Sequence, residues 1–295
     1  MSFLEAIIFG IVQGVTEFLP VSSSGHLAIL ESLLHTKTDT GILFEVMLHV
    51  GTLLAILLVF RSDLHRMLWE LVRIISDLIY NLKALIHNKI QETEDRSYKK
   101  ILHNNYRKLT VMILVSTIPT GMIGYFLRDI VSKAGQSLLA SGLGLLITAV
   151  LLLVIDYWNY GDKIPKDITV KEALVLGVCQ GIGAFPGISR SGITITAGLL
   201  CGFRRNFAVR YSFLMSIPAI IGAMILELGE FTNPSMTFQL GAAYTAGMAA
   251  AAVSGFFCIR AMLALIQKKK FKIFSVYCAL VGIAAIVCHF VLPLQ

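Results

Sequence analysis

Charge is scarce in this chain: of 295 residues only 15% are Asp, Glu, Lys or Arg, against 56% hydrophobic, and the mean hydropathy is +0.76. So little polar material cannot cover a water-soluble globule of this size, which excludes an ordinary soluble enzyme and leaves a chain that needs lipid around it. The N-terminus does not read as a convincing secretory signal either. Glu5 stands where a basic region would be and no small-residue cleavage site follows, so the N-terminus is expected to stay in the protein. Cysteine pattern is the third absence. Cys179, Cys201, Cys258, Cys278 and Cys288 are scattered through apolar segments without ligand spacing, which argues against a zinc site or a disulfide framework and leaves packing as their role.

What the chain does have is apolar runs of bilayer length. A helix crossing the hydrocarbon core takes roughly 20 apolar residues, and six stretches qualify, near residues 42–60, 109–127, 138–155, 208–227, 240–260 and 273–292. The net charge of +7 does not point to nucleic acid, because Lys and Arg are gathered by position. Residues 61–108 are the most basic segment and Lys268, Lys269, Lys270 and Lys272 form a second cluster, whereas residues 128–137 and 230–239 are poor in them. Six alternating spans place both clusters, with Lys163, Lys166, Lys171, Arg204 and Arg205, on one side, the cytoplasmic one. Between Leu64 and Ile86 the apolar residues recur at helical spacing with charges between them, the pattern of an interfacial amphipathic helix; residues 91–108 read as a solvated loop without chemistry.

An internal repeat organises the rest. At an offset of 167, residues 5–25 face residues 172–192 without a gap, and nine of the 21 positions are identical, among them Glu5 and Glu172, Gly10 and Gly177, Gln13 and Gln180, Gly14 and Gly181, Ser22 and Ser189. Chance gives roughly one or two. Each copy is an apolar segment broken by Gly, Pro and Ser, with arms too short to span, so each reads as a re-entrant helix, loop, helix. Three spans between the copies invert one relative to the other. The fold class is therefore an all-α integral membrane protein of six transmembrane helices plus two re-entrant segments in an inverted-topology repeat. Its organisation is a single membrane domain, 1–295, with a first repeat core at 1–60, a cytoplasmic helix and loop at 61–108, and a second repeat core at 168–228.

The copies differ where chemistry would sit: Glu17, Ser23 and His26 in the first stand opposite Ala184, Arg190 and Ile193 in the second. An ionisable group at the centre of a lipid-embedded helix costs roughly 2.5–3.5 kcal/mol, so a cluster of them demands partners or a cavity. Gln13 and Glu17 are four apart, as are Ser22 and His26, which puts each pair on one helical face. Gly187, Ser189, Ser191 and Gly192 surround Arg190 where a helix should start, offering N–H groups, hydroxyls and a planar guanidinium to an anion, with Thr194 one turn on. A phosphate cradle facing a carboxylate, an imidazole and serines is equipment for phosphoryl transfer.

At these residues the sequence resembles the undecaprenyl-diphosphate phosphatase family, also known as the bacitracin-resistance protein family, and the resemblance covers essentially the whole chain. The family's first motif, Glu or Gln, three residues, then Glu, stands as Gln13-Gly14-Val15-Thr16-Glu17, followed by Pro20-Val21-Ser22-Ser23-Ser24-Gly25-His26. Its second, Pro-Gly-x-Ser-Arg-Ser-x-x-Thr, is complete from Pro186 to Thr194. The resemblance implies hydrolysis of undecaprenyl diphosphate to the monophosphate carrier in the bacterial plasma membrane, with Mg2+ or Ca2+, at a site opening to the extracytoplasmic side, recycling the carrier of wall synthesis and conferring bacitracin resistance. The expected partners are the polyprenyl diphosphate and membrane lipid, with a homodimer left open and nucleic acid excluded.

On this reading Arg190, Ser189 and Ser191 hold the diphosphate together with Ser22, Ser24, Gly187 and Thr194. Glu17 binds the metal, alongside Gln13, or serves as base. His26 is nucleophile or acid and base, and Ser23 is the rival nucleophile; phospho-histidine, phospho-serine and direct attack by water all stay open. Glu45, four residues before His49, is expected to stand behind the site. Arg204, Arg205 and Arg210 read as snorkelling side chains, Pro119 and Pro218 as kinks, and Gly142, Gly144, Gly241, Gly247 and Gly255 as close helix contacts. The competing function is a secondary transporter or polyprenyl-phosphate flippase, an architecture that also uses inverted repeats. A transporter should line a path through several spans with polar groups, whereas here they concentrate in the two motif loops. A purely structural protein has no reason to hold Glu17, His26 and Arg190 in lipid.

Overall fold

Helix lengths follow from the breaks in the apolar pattern. The computed structural model describes residues 1–34, 41–92, 95–158, 161–229, 237–265 and 271–291. Among them the first half forms α1 (Phe3–Phe18), α2 (Ser23–Leu34), α3 (Gly41–Val59), α4 (Arg61–Gln91), α5 (Asn105–Phe126), α6 (Arg128–Gly135) and α7 (Leu138–Asp156). The second half forms α8 (Val170–Ile182), α9 (Arg190–Leu200), α10 (Arg205–Gly229), α11 (Phe238–Leu265) and α12 (Phe271–Val291). Helices α5, α7, α10, α11 and α12 are long and apolar enough to cross a membrane. Helix α3, whose 19 residues rise roughly 28 Å, passes the same test only together with α4, from which it is bent by 85°, and makes a sixth span if that bent pair is counted as one.

The two motif copies are the short hairpins α1–α2 and α8–α9. The longest of their arms, α1, has 16 residues and rises roughly 24 Å, less than the roughly 30 Å of a hydrocarbon core. Both hairpins begin alike. Ser2 caps α1 and Glu5 reaches back to it, and Thr169 caps α8 with Glu172 in the same role, so the repeated glutamate is a capping box in each copy. Each first arm then lies on a long span, α1 on α11 and α8 on α5. The repeated glycines make this approach: a Cβ on Gly10 would stand 2.2 Å from the Gly247 carbonyl oxygen, and one on Gly177 would stand 2.1 Å from that of Ser116. Gly142, Gly144, Gly247 and Gly255 also sit in such contacts, but Gly241 has nothing within 4 Å of an added Cβ and its assignment as a contact is corrected.

Basic segments collect at one end. The Lys163 and Phe203 backbones form a bridge, Lys163 pairs with Glu172, and the Phe271 N–H donates to Asp156 at 3.0 Å. Lys268, Lys269 and Lys270 lie outside the described residues, as do residues 230–236. Arg210, expected to snorkel, instead pairs with Asp63 at the start of α4.

Residues 95–103 are mostly exposed, as the composition suggests, but the segment is tied to α4. The chain returns along α4, with Asn81 and Asn88 each bonding the returning backbone, at Lys99 and Arg96. Arg107 and Lys108 already belong to α5, and the Arg107 guanidinium is buried between Glu70, at 2.8 Å, and Asp77, at 2.6 Å. The mixed charge of this segment conceals these pairings, because each partner lies 30 or 37 residues away. The opposite face of α4, with Leu68, Trp69, Val72 and Leu82 exposed, keeps the amphipathic character read from the sequence. Hydrogen bonding to Arg107, helped by Lys99, holds the Asp77 carboxyl below its ordinary range. A lowered folded value makes the clamp complete at neutral pH and weakens it as pH falls through that value. Arg107→Ala is expected to loosen α4, read as faster proteolysis at Lys83 and Lys89 than in the unaltered protein.

Candidate active site

The breaks in the two hairpins meet. Ser24 Oγ accepts the Gly187 N–H at 3.4 Å, and in the mirrored direction Ser191 Oγ donates to the Leu19 carbonyl at 3.2 Å. A Cβ on Gly25 would lie 3.3 Å from Gly187 Cα, so the loops approach backbone to backbone. Their turns differ. In the second loop Gly187 supplies a left-handed residue, φ +78°; in the first the left-handed residue is Ser22, φ +69°, a conformation that costs an L residue roughly 1–2 kcal/mol.

At this junction Arg190 of one loop forms an ion pair with Glu17 of the other, two residues 173 apart in sequence. Glu17 is buried, its side chain 5% exposed, and it gathers three donors: the Arg190 guanidinium, Gln13 Nε2 at 3.1 Å and Ser23 Oγ at 2.6 Å. Arg190 is more open, 24% exposed, so the rest of its fork can meet an incoming anion. Ser189 caps α9 by accepting the Gly192 N–H at 3.0 Å, which leaves the Arg190 and Ser191 N–H groups at the helix start beside that fork. Ser189 and Ser191 are 3.3 Å apart, as are Ser22 and Ser24.

Three predicted residues do not bond the side chains of the Arg190–Glu17 pair as expected. Thr194 is fully buried, donating to the Arg190 carbonyl at 2.7 Å and paired with Ser212 at 2.6 Å, so its hydroxyl secures α9 to α10 and is not offered to phosphate. His26 bonds neither Glu17 nor Arg190. Its Nδ1 lies 2.7 Å from the Ser22 carbonyl and its Nε2 lies 2.8 Å from the Tyr277 hydroxyl. Glu45 is exposed on α3, and its carbonyl accepts from His49 at 3.0 Å; it is His49 that lies within electrostatic reach of Glu17.

Two contributors carry no motif. Thr148, in the middle of α7, accepts the Ser189 N–H at 2.9 Å and lies 3.1 Å from the Gly187 carbonyl, fastening the second loop to a span. Tyr277 of α12 lies beside the His26 ring, its plane 9° from parallel and its centroid 5.5 Å away. The only signal either leaves is a polar group interrupting an apolar run.

As a cation site the cluster is sparse. Among the described residues no three His, Cys, Asp or Glu side chains converge, yet Gln13 Oε1 is buried without a hydrogen-bond partner. One carboxylate and one neutral oxygen suit a hard cation that takes its remaining ligands from substrate phosphate and water.

The profile of the Bacitracin resistance protein BacA family matches residues 6–284. The chain belongs to that family. Among BacA relatives it is similar to the undecaprenyl-diphosphatase of Methanosphaera stadtmanae, 37% identical over 294 residues, covering 99% of this chain and 100% of that one. Those of Alkaliphilus metalliredigens, 38% identical over 282 residues, and Halothermothrix orenii, 38% over 287, cover 96% and 97% of this chain and 97% and 98% of their own. The span of the BacA match runs from the first motif arm into α12, so the hairpins, the spans between them and the helix bearing Tyr277 all fall within it.

Proposed function

We propose that this protein hydrolyses undecaprenyl diphosphate to undecaprenyl phosphate and phosphate within the plane of the membrane. The observation that carries the reading is the Arg190–Glu17 pair with Ser23 Oγ on the same carboxylate at 2.6 Å. A phosphate clamp, a proton acceptor and a hydroxyl then share one point between two hairpins.

The steps follow from that geometry. Arg190, the first N–H groups of α9 and the serine hydroxyls hold the terminal phosphoryl oxygens and take up the charge that develops on them. Ser23 Oγ attacks the terminal phosphorus while its proton passes to Glu17. The bond from that phosphorus to the bridging oxygen breaks, and the lipid monophosphate leaves with the oxygen and with the proton that Glu17 took from Ser23, which returns Glu17 to its carboxylate form. Water, deprotonated by Glu17, then attacks the phosphoserine, and phosphate departs as Ser23 regains its proton. Ser23 is favoured over His26 as nucleophile because its hydroxyl already contacts the carboxylate, whereas both His26 nitrogens are engaged elsewhere.

A divalent cation, Mg2+ or Ca2+, fits Glu17 and the unpartnered Gln13 Oε1. Bound there, it supplies positive charge to the diphosphate oxygens. The positions of the basic segments support a site opening to the extracytoplasmic side, and the activity recycles the lipid carrier.

Purified protein in detergent tests the enzyme reading, since a transporter has no compartments to work between. Steady phosphate release from undecaprenyl diphosphate is expected; its absence, together with accelerated movement of polyprenyl phosphate across vesicles, would establish the transporter instead. In the same assay EDTA is expected to lower the rate at least about a hundredfold, with recovery on adding Mg2+ or Ca2+. A rate indifferent to EDTA removes the cation from the site.

A further inference from the structure

We infer that Tyr277 and His26 form a positioning relay which holds the left-handed turn at Ser22, and through it the Ser23 hydroxyl on Glu17. His26 then exchanges neither a phosphoryl group nor its own proton during turnover. The inference rests on the phosphatase reading and assigns within it a residue, Tyr277, that belongs to neither motif.

The protonation pattern follows from the partners. A carbonyl oxygen can only accept, so the 2.7 Å contact to the Ser22 carbonyl requires the proton on Nδ1. Nε2 of the neutral ring is then an acceptor, and the Tyr277 phenol donates to it at 2.8 Å. The two ring planes are nearly parallel, 9° apart, with centroids 5.5 Å apart. A residue whose two nitrogens are committed in this way is held as a strut.

What the strut supports is the strained residue of the first loop. Ser22 sits at φ +69°, and its carbonyl receives the His26 ring at 2.7 Å but the His26 backbone N–H only at 3.4 Å. The ring therefore makes the closer hold on that peptide. The same peptide leads directly into Ser23, the first residue of α2, so rotation at Ser22 would carry Ser23 Oγ away from its 2.6 Å contact with Glu17. Tyr277 stands on α12, which packs along α7, the span that also fastens the second loop through Thr148. One pair of spans thus braces both halves of the site.

The relay and a histidine nucleophile predict opposite results. Tyr277→Phe keeps the ring and deletes the donor. If the relay operates, kcat falls roughly tenfold, the worth of one neutral hydrogen bond, with KM unchanged because the phosphate grip is untouched. If Nε2 attacked phosphorus, freeing it would leave kcat unchanged or raise it. Asn places an N–H donor near the position of Nδ1 but cannot act as a nucleophile or titrate. His26→Asn is therefore expected to stay within about tenfold of the unaltered enzyme while His26→Ala loses at least about a hundredfold. Equal inactivity of His26→Asn and His26→Ala, or a Tyr277→Phe enzyme as fast as the original, overturns the relay.

A measurement on the unaltered protein guards against variants that fail to fold. Nitrogen-15 NMR of histidine-labelled protein in detergent, with the His26 signals assigned by their loss in His26→Asn, should show the neutral ring protonated at Nδ1. Protonation at Nε2 refutes the relay whatever the variants do. Failure of the unaltered enzyme to release phosphate would strike the phosphatase reading alone, since the NMR result stands apart from turnover.

Discussion

Arg190→Lys should lower turnover about a thousandfold, nearly as far as Arg190→Ala, although it keeps the positive charge. The reason is shape. Arg190 reaches across from α9 to Glu17 and still presents the rest of a planar fork to a phosphoryl group, whereas an ammonium is a point charge on a flexible stem that would settle on Glu17 alone. Removing one pre-set donor to a developing charge costs about a hundred- to a thousandfold in rate, and Arg190 supplies several donors at once. The Ala variant mixes this loss with another: Glu17, 5% exposed, would be left without its cation, which destabilises by about 3–5 kcal/mol when a buried pair is broken. Arg190→Lys avoids that and isolates the chemistry. Phosphate release by folded, monodisperse protein checks it, and a Lys enzyme within tenfold of the original would reduce Arg190 to a charge neutraliser.

Gly187→Ala is the second large effect, and it acts through backbone. Gly187 is left-handed at φ +78°, and an added Cβ would stand 2.0 Å from the Ser141 carbonyl oxygen, a separation no side chain tolerates. The loop would have to leave α7. With it would go the bond from Ser189 N–H to Thr148, the contact of Ser24 with Gly187, and the placement of Arg190 three residues on. Combined strain and overpacking of this kind costs about 2–5 kcal/mol. Loss of measurable phosphatase activity with a clearly lowered melting temperature in detergent is the expected result. Gly187→Ala with normal activity would mean that this loop does not shape the site.

Glu17, Ser23 and Arg190 stand out in the sequence because of the repeat. Sliding the chain on itself brings Glu17 opposite Ala184 and Ser23 opposite Arg190, so the positions that differ stand out against a shared scaffold. Much of that scaffold proves structural: Glu5 and Glu172 complete capping boxes, and Gly10 and Gly177 admit a neighbouring span. Spans were legible because long apolar runs have one solution in lipid. Single polar residues inside those runs were not. Thr148 and Tyr277 stand in apolar helices that also carry Ser141 and Ser275, so neither is singled out, and their partners lie 41 and 251 residues away. Thr194 misled for the opposite reason. It completes a motif, but its hydroxyl faces a serine on α10 that local spacing cannot reveal. Arg107 shows the same limit outside the membrane, its burial set by two acids on another helix.

The account stands on Ser23 as the group that takes the phosphoryl from the lipid. Rapid acid quench of the enzyme during turnover of undecaprenyl diphosphate labelled in its terminal phosphate tests this most directly. An acid-stable phosphoserine on the peptide containing Ser23, formed in the first turnover and absent from Ser23→Ala, is the predicted result. Label on no residue, with Ser23→Ala still turning over at near the original rate, would contradict it.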